Sequence, residues 1–106
     1  MAGQEFGVEP LAEPRSFRIS GSLDVPSAGH LTELLDELVR EDGDVLLDLS
    51  GVTFMDSSGL RAVIQAGMDL GSRGRIRLRH PSEQVRRLLE TSGAGDSLGN
   101  LMVEAD

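Results

Sequence analysis

The sequence has no cysteine and no lysine, and it holds only two histidines among its 106 residues. Without cysteine there is no disulfide, no thiolate nucleophile and no cysteine metal site, and cysteine usage says nothing about redox compartment. Without lysine there is no Walker-type loop, which needs that residue to reach the nucleotide phosphates. His30 and His80 are far apart and show neither a metal-pair spacing nor that of a base beside a nucleophile, so both read as ordinary surface or loop histidines. No stretch approaches the roughly 20 apolar residues that span a bilayer. Residues 1–14 carry Glu5, Glu9 and Glu13 without an apolar run, which fits neither a secretory leader nor an anchor. The expected address is the cytoplasm.

What is present fits one domain over residues 1–106, with residues 1–14 as an acidic leading segment: a chain of this length, 39% hydrophobic, buries one core and is too short for two. The formal charge is -8, with 12 acids against 3 arginines through Asp56 and 6 against 7 beyond it. That balance argues against nucleic-acid binding. The acidic half is suited to steering a basic partner, or simply to keeping the protein soluble.

Residues 16–21, Ser-Phe-Arg-Ile-Ser-Gly, alternate polar and apolar as a strand with one buried and one wet face does. Ser27 stands as a helix cap ahead of Leu31, Leu34, Leu35, Leu38 and Val39, which form one apolar stripe, and Gly43 fits the stop. Val45, Leu47 and Leu49 fall on one face of a strand with Leu46 and Asp48 on the other, ahead of a turn at Ser50-Gly51. This strand is expected to be central. Asp56, Ser57 and Ser58 are cap residues for a second helix carrying Leu60, Val63, Ile64, Gly67 and Met68 and ending at Gly71. Arg75-Ile76-Arg77-Leu78-Arg79 alternates strictly, and Ser82 caps a third helix with Val85, Leu88 and Leu89, closed by Ser92-Gly93-Ala94-Gly95. Residues 6–9 and Leu101–Val103 are candidate outer strands. The order predicts an α/β fold: a single mixed, largely parallel sheet of four to five strands with helices mainly on one face. The other face is expected to bear Arg18, Asp48, Arg75, Arg77 and Arg79.

Adjacent serines at a strand-to-helix turn invite a hydrolase reading, but a nucleophile elbow needs glycine two residues before its serine, and Met55 holds that place for Ser57. Gly71-Ser72-Arg73-Gly74 lacks the Walker lysine, and Gly93, Gly95 and Gly99 miss the dinucleotide spacing by one residue, so both read as stops and turns. The Arg75, Arg77 and Arg79 row suits an acidic partner or phosphate, or more plainly a solvated face that guards against edge pairing. Asp24, Asp48 and Asp56 all fall near expected strand ends, where a magnesium site or acid–base pair competes with solvent and capping roles. Asp56-Ser57-Ser58-Gly59 is a good helix start on physics alone. A helix start also tolerates a phosphoserine, because unpaired amides and the dipole accommodate its charge. Such a modification changes the exterior that a partner meets, by roughly -1.5 to -2 charges.

Ile19-Ser20-Gly21-Ser22-Leu23-Asp24 resembles a strand ending in G-x-L-D, and the run Asp48-Leu49-Ser50-Gly51-Val52-Thr53-Phe54-Met55-Asp56-Ser57-Ser58-Gly59-Leu60 resembles the signature of the STAS domain family. The similarity is to the free-standing bacterial anti-sigma factor antagonists and extends over residues 6–103. The resemblance implies a non-enzymatic regulator with no cofactor, in which Ser57 accepts a phosphate from a serine kinase that is also an anti-sigma factor, and a phosphatase removes it. Unphosphorylated protein then binds that kinase and frees a sigma factor. The resemblance assigns Asp56, Ser58 and Gly59 to the acceptor turn and Asp24 to the partner-facing surface beside it. Arg61 departs from the family, where a small residue is common after the leucine. Two other readings compete: a non-switching STAS subunit of a stressosome or lipid-transport complex, and a nucleotide hydrolase holding magnesium on Asp48 or Asp56, for which no phosphate loop is visible.

Overall fold

A computed structural model describes residues 6–92 and 101–104. Five strands, β1 (Gly7–Pro10), β2 (Ser16–Leu23), β3 (Val45–Met55), β4 (Ile76–Arg79) and β5 (Leu101–Val103), lie side by side in that order. The helices α1 (Val25–Leu38), α2 (Ser57–Leu70) and α3 (Glu83–Ser92) alternate with them. β1 runs antiparallel to β2, and every later neighbour is parallel. Because each parallel step moves to the next strand in the same direction, right-handed crossovers place all three helices on one face. One core cluster results, with Ile19, Leu47, Ile76 and Leu78 of the sheet against Leu31 and Leu35 of α1, Val63 and Leu70 of α2, and Val85 and Leu89 of α3. The mixed, largely parallel sheet with a one-sided helical cover is the architecture that the periodicities predict, and β3 is its centre.

Three local expectations are corrected. Asp24, not Ser27, is the N-cap of α1; Ser27 sits inside the first turn, and the helix ends at Leu38, well before Gly43. Gly43 has φ of 118° and donates its amide to the Arg73 carbonyl in the turn that leads into β3. Ser50-Gly51 is not a turn, since β3 runs through it to Met55. The pairing of β2 with β3 slips there, and a Cβ on Gly51 would lie 2.9 Å from Ser20 Cβ, so the glycine permits close strand approach at a bulge.

The helix-free face differs from expectation in burial and in placement. Leu46 and Asp48 do point away from the helices, but both are buried, and Asp48 lies in the middle of β3, not at a strand end. Arg75 precedes β4, whereas Arg77 and Arg79 belong to it. Gly93, Ala94, Gly95 and Gly99 fall outside the described residues. Among the described residues, no helix is long and apolar enough to cross a membrane.

Candidate functional site

β2 and β3 finish together, Leu23 opposite Met55, and each is followed at once by an aspartate that caps the next helix. The Asp56 amide donates to the Leu23 carbonyl at 3.0 Å, which pins the start of α2 to the base of α1. Asp56 Oδ1 accepts from the Ser58 amide at 2.8 Å and the Gly59 amide at 3.4 Å, supplying two of the partners that a helix start lacks. Gly59 is buried, and a Cβ there would lie 2.8 Å from Leu23 Cβ and 3.0 Å from the Leu23 carbonyl oxygen. The first turn of α2 therefore rests directly on the end of β2. Asp24, Asp56, Ser57, Ser58 and Gly59 all stand at this end of the sheet; Asp48 does not join them. Among the described residues, no group of three or more histidines and acids is arranged to hold a metal ion.

The serines at the two helix starts are used differently. Ser27 is buried; its Oγ accepts from the Asp24 amide at 3.0 Å and donates to the Ser22 carbonyl at 2.6 Å. Its hydroxyl proton is committed. Ser57 is the first residue of α2, is exposed, and has no side-chain hydrogen bond among the described residues. Ser58 is half-buried and gives its amide to Asp56. Of the three serines, Ser57 is the exposed one.

Gln84 completes the site and was not singled out in the sequence. β4 pairs with β3 only as far as Asp48, so beyond it that edge of β3 has no strand beside it among the described residues. The Gln84 side chain accepts from the Met55 amide at 3.1 Å and donates to the Met55 carbonyl at 2.9 Å, replacing a strand's two hydrogen bonds. Gln84 lies in α3, 29 residues beyond Met55, so no local sequence pattern points to the pairing. Around the two caps, Val25 is 71% and Phe54 44% exposed. An open groove of about 710 Å³ leads from Asp24 between β1 and α1, past Val8, His30 and Leu34, with Phe6 stacked on His30 at 6.0 Å.

The charges on the helix-free face are instead consumed by one another. Burial pushes the Asp48 carboxyl up, but the Ser50 amide and hydroxyl, with Arg18 and His80 nearby, outweigh it and hold the group below its ordinary value. Glu104 behaves alike: partial desolvation raises its pKa, while hydrogen bonds from Arg77 and Arg79 bring it below the usual range. Arg79 also meets Glu13 at 3.6 Å. Within the arginine row, Arg77 and Arg79 are paired with acids, while the Arg75 guanidinium meets Met102 Sδ at 3.7 Å.

A small α/β module with a one-sided helical cover and a doubly capped strand end is thus defined. The profile of the STAS domain family matches residues 10–104, and this chain belongs to that family. The anti-sigma-B factor antagonist of Bacillus subtilis (strain 168) is 34% identical over 79 residues, covering 74% of this chain and 72% of that protein. A solved anti-sigma factor antagonist from Mycobacterium paratuberculosis superposes with a TM-score of 0.82 at 19% identity, over 98% of this chain and 90% of the other. The antagonist SpoIIAA aligns in its unphosphorylated form with a TM-score of 0.72 at 23% identity, covering 96% and 90% of the two chains. In its phosphorylated form the Bacillus cell fate determinant SpoIIAA aligns with a TM-score of 0.67 at 22% identity, covering 96% and 93%. At these identities the solved structures speak for the fold.

Proposed function

We propose that this protein is an anti-sigma factor antagonist of the bacterial cytoplasm, acting as one STAS unit without catalytic activity of its own. Unphosphorylated, it binds an anti-sigma factor that is also a serine kinase and so releases a sigma factor. The kinase transfers the γ-phosphoryl group of ATP to Ser57 Oγ, which loses its proton, and the modified protein no longer binds. A phosphatase restores the free hydroxyl.

The observation that carries this reading is the exposed, uncommitted hydroxyl of Ser57 on a helix whose capping is already done by Asp56. Phosphorylation there removes no hydrogen bond that the fold uses, and the helix dipole favours the added anion. The effect therefore falls on association. The surface around Ser57, with Asp24, Asp56, Ser58, Gly59 and the exposed Val25 and Phe54, combines apolar anchors with a polar rim, as protein interfaces do. A dianion placed there is desolvated poorly by a partner. Relatives named as anti-sigma factor antagonists, one of them solved in a phosphorylated form, support the same direction.

Calorimetric titration with candidate anti-sigma kinases tests it. Wild-type protein binds one of them, and Ser57→Asp weakens that binding at least about tenfold, an interface cost of about 1.4 kcal/mol or more. Equal affinity of wild type and Ser57→Asp contradicts the switch and favours a fixed structural subunit.

A further inference from the structure

Helix α2 has one cation, Arg61, and it stands four residues after Ser57. Residues at this spacing are neighbours on a helix surface, and an acid four residues ahead of a base is the favourable order. Ser57, Arg61, Gln65 and Asp69 follow one another at this interval: Gln65 Nε2 donates to Asp69 Oδ1 at 3.0 Å, while exposed Arg61 makes no ion pair or hydrogen bond among the described residues. Most other arginines of the molecule are tied to carboxylates or carbonyls, such as Arg73 to Asp42, Val39 and Asp69. Arg61 is held in reserve beside a hydroxyl that is also unspent.

We propose that Arg61 is the intramolecular clamp of phosphorylated Ser57, its guanidinium closing back along α2 onto the phosphate oxygens. The inference rests on the reading of Ser57 as the acceptor and adds to it a residue that governs the modified state. The need for a clamp is electrostatic. A phosphate on Ser57 enters a neighbourhood with the Asp56 carboxylate at the cap of its own helix and Asp24 at the cap of α1; on α3, Glu83 pairs with Arg87 at 3.1 Å. These two acids repel the dianion, and Arg61 is the base that α2 itself places four residues along. Arginine suits the task because its planar fork meets two phosphate oxygens at once. The clamp holds the phosphate against the helix end and lowers the net charge of the modified site.

The test uses full-length protein with phosphoserine installed at position 57 during synthesis, so that it does not depend on any kinase, and a failure of enzymatic phosphorylation remains distinguishable. Titration of the ³¹P shift gives the second pKa of the phosphate, about 6 for an unperturbed phosphoserine. Arg61→Gln raises it by about 0.4 unit relative to the parent, the equivalent of one helical ion pair. Arg61→Lys raises it by less. Arg40→Gln, which removes the same charge near the far end of α1, leaves it unchanged. The Arg61→Gln difference shrinks in 1 M salt, where screening is strong. A parent and an Arg61→Gln protein that titrate together, or an Arg40→Gln protein that shifts as much as Arg61→Gln, overturns the clamp.

Discussion

The helix-free face of the sheet and the strand ends that launch α1 and α2 are both rich in polar groups, yet they do opposite things with them. On the face, Asp48 is met by Ser50 and Arg18, and Glu104 by Arg77 and Arg79, so each charge is answered within the molecule. At the strand ends the backbone is satisfied by Asp56 and Gln84, while Ser57 and Arg61 are left over. The density of charge therefore does not mark the proposed functional region. What marks it is a scaffold already complete without the groups that face outward.

Substitutions separate the two regions. Gly59→Ala has the largest effect: the new Cβ meets Leu23 at 2.8 Å, and unfolding in urea should show a loss of about 2 kcal/mol along with weakened partner binding. Asp48→Ala comes next. It strips the Ser50 amide and Arg18 of their partner, costs about 1.5 kcal/mol in the same measurement, and leaves partner affinity unchanged because that face is not at the proposed switch. A smaller effect appears with acid. Asp48 and Glu104 have folded pKa values below their unfolded ones, so the unfolded chain takes up protons first as pH falls. Their contribution is present above the ordinary carboxylate range near pH ~4 and is lost below it. Melts recorded between neutrality and acid should show wild type losing more stability than Asp48→Ala. Ser57→Asp lies at the bottom of the scale for stability, within about 0.5 kcal/mol of wild type, because the helix start accepts the charge. A large stability loss in Ser57→Asp would erase the distinction between the two regions.

The same contrast explains what the sequence could convey. Apolar periodicity is a direct consequence of burial, so the stripe of Leu31, Leu34, Leu35 and Leu38 and the alternation of Ile76 and Leu78 placed their helix and strand without ambiguity. Ser50-Gly51 misled because turn residues and bulge residues are the same residues: glycine serves a reversal of the chain and a close strand contact alike. Asp48 misled because an acid in an alternating strand reads as wet, and only its partners from β2 and the bulge make burial tolerable. Ser27 reads as the cap of α1 in place of Asp24 because both are cap residues three positions apart, and their bonding decides which stands outside the helix. At the candidate site the helix start at Asp56-Ser57-Ser58 was legible from its residue types, and its proposed role as acceptor comes from the family resemblance. The steric demand on Gly59 and the bonds of Gln84 to Met55 were not, since both arise from segments brought together only by the fold.

Site-resolved mass spectrometry of the protein isolated from its host, with Ser57→Ala and Ser27→Ala variants alongside, tests the central claim most directly. A single phosphate on Ser57 in wild type and in Ser27→Ala, and none in Ser57→Ala, is the predicted result. Phosphate on Ser27 or Ser58 in place of Ser57, or undiminished phosphorylation of Ser57→Ala, would contradict it.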